Sequence, residues 1–216
     1  MHKNSLSSQM LFISVSVFLI IFVYRNSISK ENYEIPKYVT FKKSIIENNT
    51  FKNNTDDTGR LKELSNAITE ECNKSEICEV KNIYKYVTKI PYKIGENNPK
   101  SPVEVIATNS GDCDEKSFLL ATLLKEKQHN SLLIFTKQNE IYHTFLGIEI
   151  TNDHTINQNS TFLKINNQRY YYAETTLHGW EIGQFNGYEK KDIIGIYNVG
   201  NNKNISLKKV EFIKKS

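Results

Sequence analysis

The clearest structural signal of the chain is the segment GDCDEKSFLLATLLKEK, residues 111–127. Asp112 is a favourable helix N-cap residue, and Glu115, three positions later, completes a capping box. The residues from Ser117 to Lys127 are apolar on most sides, which is typical of a helix buried at the centre of a domain. Cys113 therefore takes the first position of a buried helix, where free N–H groups and the helix dipole stabilise a thiolate.

Helical patterns precede this segment and strand patterns follow it. Two helices are predicted around Leu61–Ile68 and Val80–Val87, and a short third helix begins at the capping box of Ser101–Glu104. Pro91 ends the second helix. Strands are predicted at Ser131–Thr136, Ile141–Ile150, Thr161–Ile165, Gln168–Glu174 and Ile205–Ile213. Helices followed by an antiparallel sheet predict an α+β fold, with the Cys113 helix packed on the sheet.

The composition excludes several classes of protein. The chain has 216 residues, 38% of them hydrophobic and 24% charged, so neither a disordered nor a fibrous protein is expected. The net charge is +4, and the terminal residues 201–216 alone hold five lysines and one acidic residue. Because the rest of the chain is close to neutral, we expect no nucleic-acid surface.

Residues 1–30 predict export from the cytoplasm. No charged residue occurs from Leu6 to Tyr24, and a segment of this length can just span a bilayer. We expect a single-pass membrane anchor with the C-terminal domain outside the cytoplasm. A cleaved signal peptide is the alternative, with small residues at Ser27 and Ser29 for the peptidase, and it would give a secreted protein.

The rest of the chain divides into a linker and one domain. Residues 31–58 are polar and are predicted to form a tether, with one short strand near Tyr38–Ile46. Residues 59–216 are predicted to form the folded domain.

The cysteines are compatible with an oxidising compartment. Cys72 and Cys78 lie six residues apart and can pair there, which would leave Cys113 as the unpaired thiol. The alternative is that all three cysteines remain reduced.

His143 and Glu174 are the candidate partners of Cys113. His143 lies in a predicted strand among apolar residues, where an imidazole needs a polar partner, and Glu174 ends another strand. If the two strands pair, Glu174 can hold one imidazole nitrogen while Cys113 faces the other, as in a nucleophile–base–acid triad. Asp114 and Glu115 act against this arrangement, because nearby carboxylates raise the pKa of a thiol. Taken singly, Cys113, His143 and Glu174 are each better explained by a structural role.

Several segments together resemble the transglutaminase-like superfamily. Residues 111–124 are similar to its nucleophile helix, and His143 and Glu174 lie in segments similar to its histidine and acid strands. The resemblance covers about residues 60–185, and its further segments are 84–92, 101–102 and 179–183. Two features depart from the family pattern. Glu174 stands where aspartate is usual, and the short interval from Cys113 to His143 lacks the insertions of the animal cross-linking enzymes.

The resemblance implies a papain-like triad of Cys113, His143 and Glu174 that transfers acyl groups through a cysteine thioester. Peptide or isopeptide hydrolysis is the default reaction, on a protein, a peptide or a cell-envelope polymer. Tyr92 and Trp180 are the candidate substrate-binding residues, although packing is the favoured role of Tyr92 and an equal alternative for Trp180. No cofactor is expected, and no metal site, since the histidines show no paired ligand spacing. The alternatives are a non-catalytic binding module on the same fold and, third, a peptidoglycan-cleaving cysteine peptidase of the NlpC kind.

Overall fold

Four α-helices precede a seven-stranded sheet in the described part of this computed structural model, residues 55–94, 99–151, 156, 160–184 and 187–214. The helices are α1 (Thr55–Ile68), α2 (Glu76–Lys89), α3 (Pro102–Thr108) and α4 (Cys113–Glu126). The predicted apolar segment Leu6–Tyr24 and the predicted strand Tyr38–Ile46 lie outside the described residues. Among the helices inside those ranges, none has the length and apolar character needed to cross a membrane.

Local capping explains where α3 and α4 begin. The Ser101 side chain accepts a hydrogen bond from the Glu104 backbone N–H, and the Glu104 carboxylate accepts one from the Ser101 N–H. Asp112 and Glu115 form the same reciprocal pair at the start of α4, with both hydrogen bonds at 3.1 Å. These two capping boxes satisfy backbone donors that the first helical turn leaves without partners, so both helix starts were readable from the sequence.

The strands form one antiparallel sheet in the order β6-β5-β1-β2-β4-β3-β7. They are β1 (Ser131–Gln138), β2 (Ile141–Glu149), β3 (Phe162–Ile165), β4 (Gln168–Ala173), β5 (Ile193–Asn198), β6 (Lys203–Asn204) and β7 (Val210–Ile213). The two edge strands, β6 and β7, are joined by a connection that can span only about 20 Å. Because seven flat strands would place their edges about 29 Å apart, the sheet must curl.

The predicted strand near Ile205–Ile213 is confirmed only over Val210–Ile213, and β5 was not predicted. The predicted strand is interrupted by a 3-10 helix at Leu207–Lys209, where the Lys209 N–H donates to the Ser206 carbonyl. This turn carries the chain from the edge at β6 to the opposite edge at β7. β5 was not predicted because it pairs with β1, whose residues lie about 60 positions away in the sequence, and no hairpin turn precedes it.

Each face of the curled sheet has its own core. Leu133 and Phe135 of β1 pack with the helices, while Leu132 and Ile134, on the other face, pack inside the curl. α4 lies against β1 and β2, and its leucines are fully buried. The predicted α+β class is therefore confirmed, with the Cys113 helix at the centre of the helical face.

Candidate active site

Cys113 is held at the junction between α4 and the segment that follows α2. The Gly111 N–H donates to the Pro91 carbonyl at 3.2 Å, and the Lys93 N–H donates to the Gly111 carbonyl at 3.0 Å. Tyr92 and Gly111 form an isolated parallel bridge. These bonds fix the backbone two residues before Cys113, so the loop that presents the sulfur is attached to the rest of the fold.

Strand pairing brings His143 and Glu174 together. β2 and β4 are antiparallel with Leu146 opposite Ala173, so Glu174 leaves the end of β4 beside the start of β2. His143 Nε2 lies 2.8 Å from Glu174 Oε2, and the Glu174 side chain is only 1% exposed. The predicted geometric relation between these two strands and these two side chains is present in the structure.

The Glu174 carboxylate receives hydrogen bonds on both oxygens. The Tyr172 hydroxyl donates to Oε2 at 3.1 Å, while the Thr176 N–H and hydroxyl donate to Oε1 at 2.9 and 2.7 Å. Burial alone would raise the pKa of Glu174. The hydrogen bond and the charge of His143, together with the two hydrogen bonds from Thr176, outweigh burial and lower this pKa to about 2. Glu174 is therefore an anion at neutral pH. Since an ionised carboxylate only accepts hydrogen bonds, Nε2 of His143 carries a proton and Nδ1 is the basic nitrogen of the neutral ring.

The electrostatic environment of Cys113 differs from the prediction made for a helix start. Its pKa is raised well above the ordinary value, first by burial of the sulfur and then by the charges of Asp114 and Asp112. Sγ lies 3.6 Å from Asp114 Oδ1, and the Thr144 backbone N–H opposes the shift by donating to the sulfur. Desolvation and the neighbouring carboxylates therefore oppose ionisation of the Cys113 thiol.

Asp114 is the acidic side chain in direct contact with that thiol. The Thr144 hydroxyl also donates to Asp114 Oδ1. Burial, reinforced by the charge of Asp112, raises the pKa of Asp114 to about 6. Glu115, which was expected to act on the sulfur as well, instead accepts hydrogen bonds from the backbone N–H groups of Lys100 and Asp112. Asp112, and not Glu115, is the second acidic residue whose charge raises the pKa of the Cys113 thiol.

Three of these side chains also bring potential metal-ligand atoms close together. Ligand atoms of Asp112, Cys113 and Asp114 all lie within 4.8 Å of one another. Consecutive acidic residues at a helix start are common without an ion, and we assign no metal or cofactor to them.

Lys116 is a buried cation that the sequence analysis did not single out. Its side chain is 1% exposed, and Nζ donates to the Ile90 carbonyl at 2.6 Å. Burial lowers its pKa to about 8, against the opposing influence of the Glu174 charge. In the sequence, Lys116 follows two acidic residues at the start of a helix, a pattern that is typical of an exposed lysine.

A second residue that was missed is Tyr188. Its ring stacks on the His143 imidazole, with centroids 5.6 Å apart and planes 10° apart. No spacing or motif connects Tyr188 to the cysteine, histidine and acid segments, so this contact could not be predicted.

Tyr92 and Trp180 are the two predicted substrate-binding residues. Tyr92 is 44% exposed, and its backbone is fixed beside Gly111. Trp180 is partly exposed and follows Glu174 by six residues along the chain. Their roles as substrate-binding residues stay predictions. At the other end of α2, Cys72 and Cys78 are joined by a disulfide with a Cα–Cα distance of 5.4 Å.

Comparison with known proteins finds only distant structural likeness. No protein-family model matches the chain, and no curated protein does. It is similar to a candidate cysteine protease from Cytophaga hutchinsonii, with 14% identity and a TM-score of 0.42, over 72% of this chain and 50% of that one. The chain thus spans half the length of the Cytophaga protein.

It is also similar to Legionella pneumophila LapG, with 11% identity and a TM-score of 0.43, over 68% of this chain and 80% of that one. For the calcium-bound form of LapG the identity is 13% and the TM-score 0.43, over 74% of this chain and 83% of that one. Likenesses at these TM-scores do not assign the chain to a family.

Proposed function

We propose that this protein is a cysteine enzyme that cleaves amide bonds by acyl transfer. Cys113 is the nucleophile, His143 the base, and Glu174 the acid that orients the base. The observation that carries the proposal is the buried 2.8 Å contact between His143 Nε2 and Glu174. An anionic partner on Nε2 selects the tautomer in which Nδ1 can accept a proton, which a base for Cys113 requires.

The reaction begins from the neutral thiol. As Sγ of Cys113 attacks the carbonyl carbon of the amide, His143 Nδ1 takes the thiol proton, and the carbonyl oxygen becomes an oxyanion. Backbone N–H groups at the start of α4 are the candidate donors to that oxyanion. The C–N bond then breaks, the leaving amine takes the proton from His143, and a thioester remains on Cys113.

Hydrolysis of the thioester reverses these roles. His143 Nδ1 takes a proton from water as the water oxygen attacks the thioester carbonyl. The C–S bond then breaks, and the sulfur recovers its proton from His143, so the enzyme returns to its starting state and an acid is released. We propose water as the acceptor; an amine in its place would make the protein a cross-linking enzyme.

The proposed substrate is a protein, a peptide or a cell-envelope polymer outside the cytoplasm. The supporting features are the apolar segment within residues 1–30, proposed as an anchor, and the disulfide between Cys72 and Cys78. Structural disulfides persist in oxidising compartments and are rare in the cytoplasm.

The test is the labelling of Cys113 in the full chain by iodoacetamide over a range of pH, with wild type, His143→Ala and Cys113→Ser. Since Cys72 and Cys78 are disulfide-bonded, labelling under non-reducing conditions reports Cys113, and Cys113→Ser gives the background. We expect wild type to react faster than His143→Ala near neutral pH, and an electrophilic amide probe to form an adduct that depends on His143. Identical pH profiles for wild type and His143→Ala would refute the proposed base.

A binding module on the same fold is the second candidate. It is favoured by the contact of the Cys113 thiol with the Asp114 carboxylate, which raises the pKa of the thiol and opposes its activation. This candidate predicts no His143-dependent adduct with any amide probe. The labelling experiment therefore separates the two functions.

A further inference from the structure

We propose that Tyr188 is a positioning residue that fixes the plane of the His143 imidazole so that Nδ1 faces the Cys113 sulfur. The inference rests on the proposed function, because it assigns a role in activating Cys113. Tyr188 itself transfers no proton and forms no bond with the substrate.

The geometry is that of an aromatic stack on one side of the base. The Tyr188 and His143 rings are 10° from parallel at a centroid distance of 5.6 Å, within the range of offset stacking. Phe145 extends the group, with centroids 6.2 Å from Tyr188 and 6.5 Å from His143. His143 and Phe145 lie two residues apart on β2 and so share one face of the sheet, whereas Tyr188 comes from the segment that leads into β5.

A second contact is needed because the bond to Glu174 fixes the imidazole at one atom only. With Nε2 held, the ring can still tilt about the Nε2–Oε2 direction, and such a tilt moves Nδ1 away from the position that the cysteine proton must reach. A flat ring stacked on the imidazole removes this freedom. A base that is misplaced by about 1 Å can cost on the order of 100-fold in rate.

Tyr188 is itself braced by the strand that also holds the His143 backbone. The Thr136 hydroxyl on β1 donates to the His143 carbonyl at 3.1 Å, and the Thr136 side chain interacts with the Tyr188 hydroxyl. The next residue, Glu189, donates its backbone N–H to the Asp192 carboxylate at 2.8 Å. Thr136 therefore connects the backbone and the ring partner of His143, and the backbone beside Tyr188 is also tied down.

Tyr188 stacks on His143 and is within electrostatic reach of Glu174 and Cys113. Its hydroxyl experiences the charges of both Glu174 and Cys113, while its ring is in contact with His143. Its side chain is partly buried, so the ring covers the imidazole and still reaches the surface of the site.

The test compares Tyr188→Phe and Tyr188→Leu in the full chain. Two measurements are made: the pH profile of Cys113 alkylation, and the position of the His143 ring proton signals in NMR spectra. Because the ring provides the stack, we expect Tyr188→Phe to alkylate within about twofold of wild type. We expect Tyr188→Leu to be slower by on the order of tenfold at pH 7 and to lose the ring-current shift of the His143 signals. The matched control is Tyr142→Leu on β2, whose ring lies under Lys137 and not on His143.

Each outcome bears on the inference. A Tyr188→Leu protein with the rate and pH profile of wild type overturns it, and so does a Tyr188→Phe protein as slow as Tyr188→Leu, since the hydroxyl would then be the active group. If Tyr188→Leu does not fold, Tyr188→Trp, which keeps a stacking ring, replaces it and must retain the His143 ring-current shift. If His143→Ala does not slow alkylation in an otherwise wild-type chain, the proposed function fails, and the NMR shift still tests the stack by itself.

Discussion

Replacing Glu174 by glutamine tests the candidate triad at its best-defined contact. The substitution keeps the length of the side chain and removes its charge, at a position that is 1% exposed and accepts hydrogen bonds on both oxygens. Glutamine offers one acceptor oxygen and an amide group that only donates. It therefore cannot satisfy the donors that now converge on the carboxylate.

The expected loss of stability follows from the pKa of Glu174. Folding lowers this pKa from 4.5 to about 2, a difference that corresponds to about 3 kcal/mol in favour of the folded state. A lowered acid pKa stabilises the fold fully above pH 4.5, and the contribution is lost as the pH falls towards 2. Glu174→Gln should therefore be less stable than wild type by up to about 3 kcal/mol at pH 7, with a smaller difference near pH 3.

The expected loss of activity follows from the tautomer of His143. If the new amide nitrogen faces Nε2, it donates to that nitrogen, and the imidazole proton moves to Nδ1. If the side chain is flipped, the amide nitrogen instead meets the Thr176 N–H, which can only donate, and the Thr176 hydroxyl, which would have to turn to accept. In the first case Nδ1 can no longer accept the proton of Cys113, and an effect of this kind costs on the order of 10²–10⁴-fold in triad enzymes.

The assays are urea denaturation at pH 7 and pH 3 and the rate of Cys113 alkylation at pH 7. The matched control is Glu149→Gln at the other end of β2, where the carboxylate binds the surface side chains of Asn130 and Gln168. The control should behave like wild type in both assays. If Glu174→Gln also keeps the wild-type alkylation rate and stability, the reasoning about the buried pair is refuted.

Two further substitutions test buried charged groups of α4. Asp114→Asn should lower the pKa of Cys113 and speed its alkylation at pH 7. Because the pKa of Asp114 is about 6, this gain should disappear by pH 5. Slower alkylation of the variant at pH 7 would contradict this account. Burial lowers the pKa of Lys116 from 10.5 to about 8, so its ammonium group opposes folding at neutral pH. The stability of the wild type should therefore rise between about pH 8 and pH 10.5. Lys116→Met should lack this rise in urea midpoints; an equal rise in both proteins would assign it to other groups.

The parts of the fold that could be predicted are those specified by neighbouring residues. Asp112 and Glu115 cap each other across three positions, and Pro91 ends α2 close to where the pattern placed its end. β5 was missed because its partner, β1, is distant in sequence, and the short segment around Gly195 carries neither a regular alternation nor a tight turn before it. Sheet neighbours that are far apart in the chain leave no mark within any single window of sequence.

The candidate site likewise has a part that could be predicted from the sequence and a part that could not. The order of a helix-start cysteine, a strand histidine and a strand-end acid was enough to predict that Glu174 can reach His143. The sequence could not show the desolvation of Cys113, because burial of the sulfur depends on everything that packs around it. Tyr188 was missed for a related reason, since its contact with His143 depends on how the segment before β5 returns over the sheet.

On the proposed function, the balance of charge favours a proton transfer from Cys113 to His143. Asp114 lies at the sulfur and Glu174 at the imidazole, so losing the thiol proton to solvent would add a further negative charge to a buried acidic site. Transfer of that proton to His143 leaves the net charge of the site unchanged, and the resulting imidazolium is held by the Glu174 anion. Once the sulfur attacks, its negative charge passes to the substrate oxygen at the surface of the site. On the proposed function, the acidic surroundings therefore keep the thiol neutral in the resting protein and permit its activation when an acceptor carbonyl is bound.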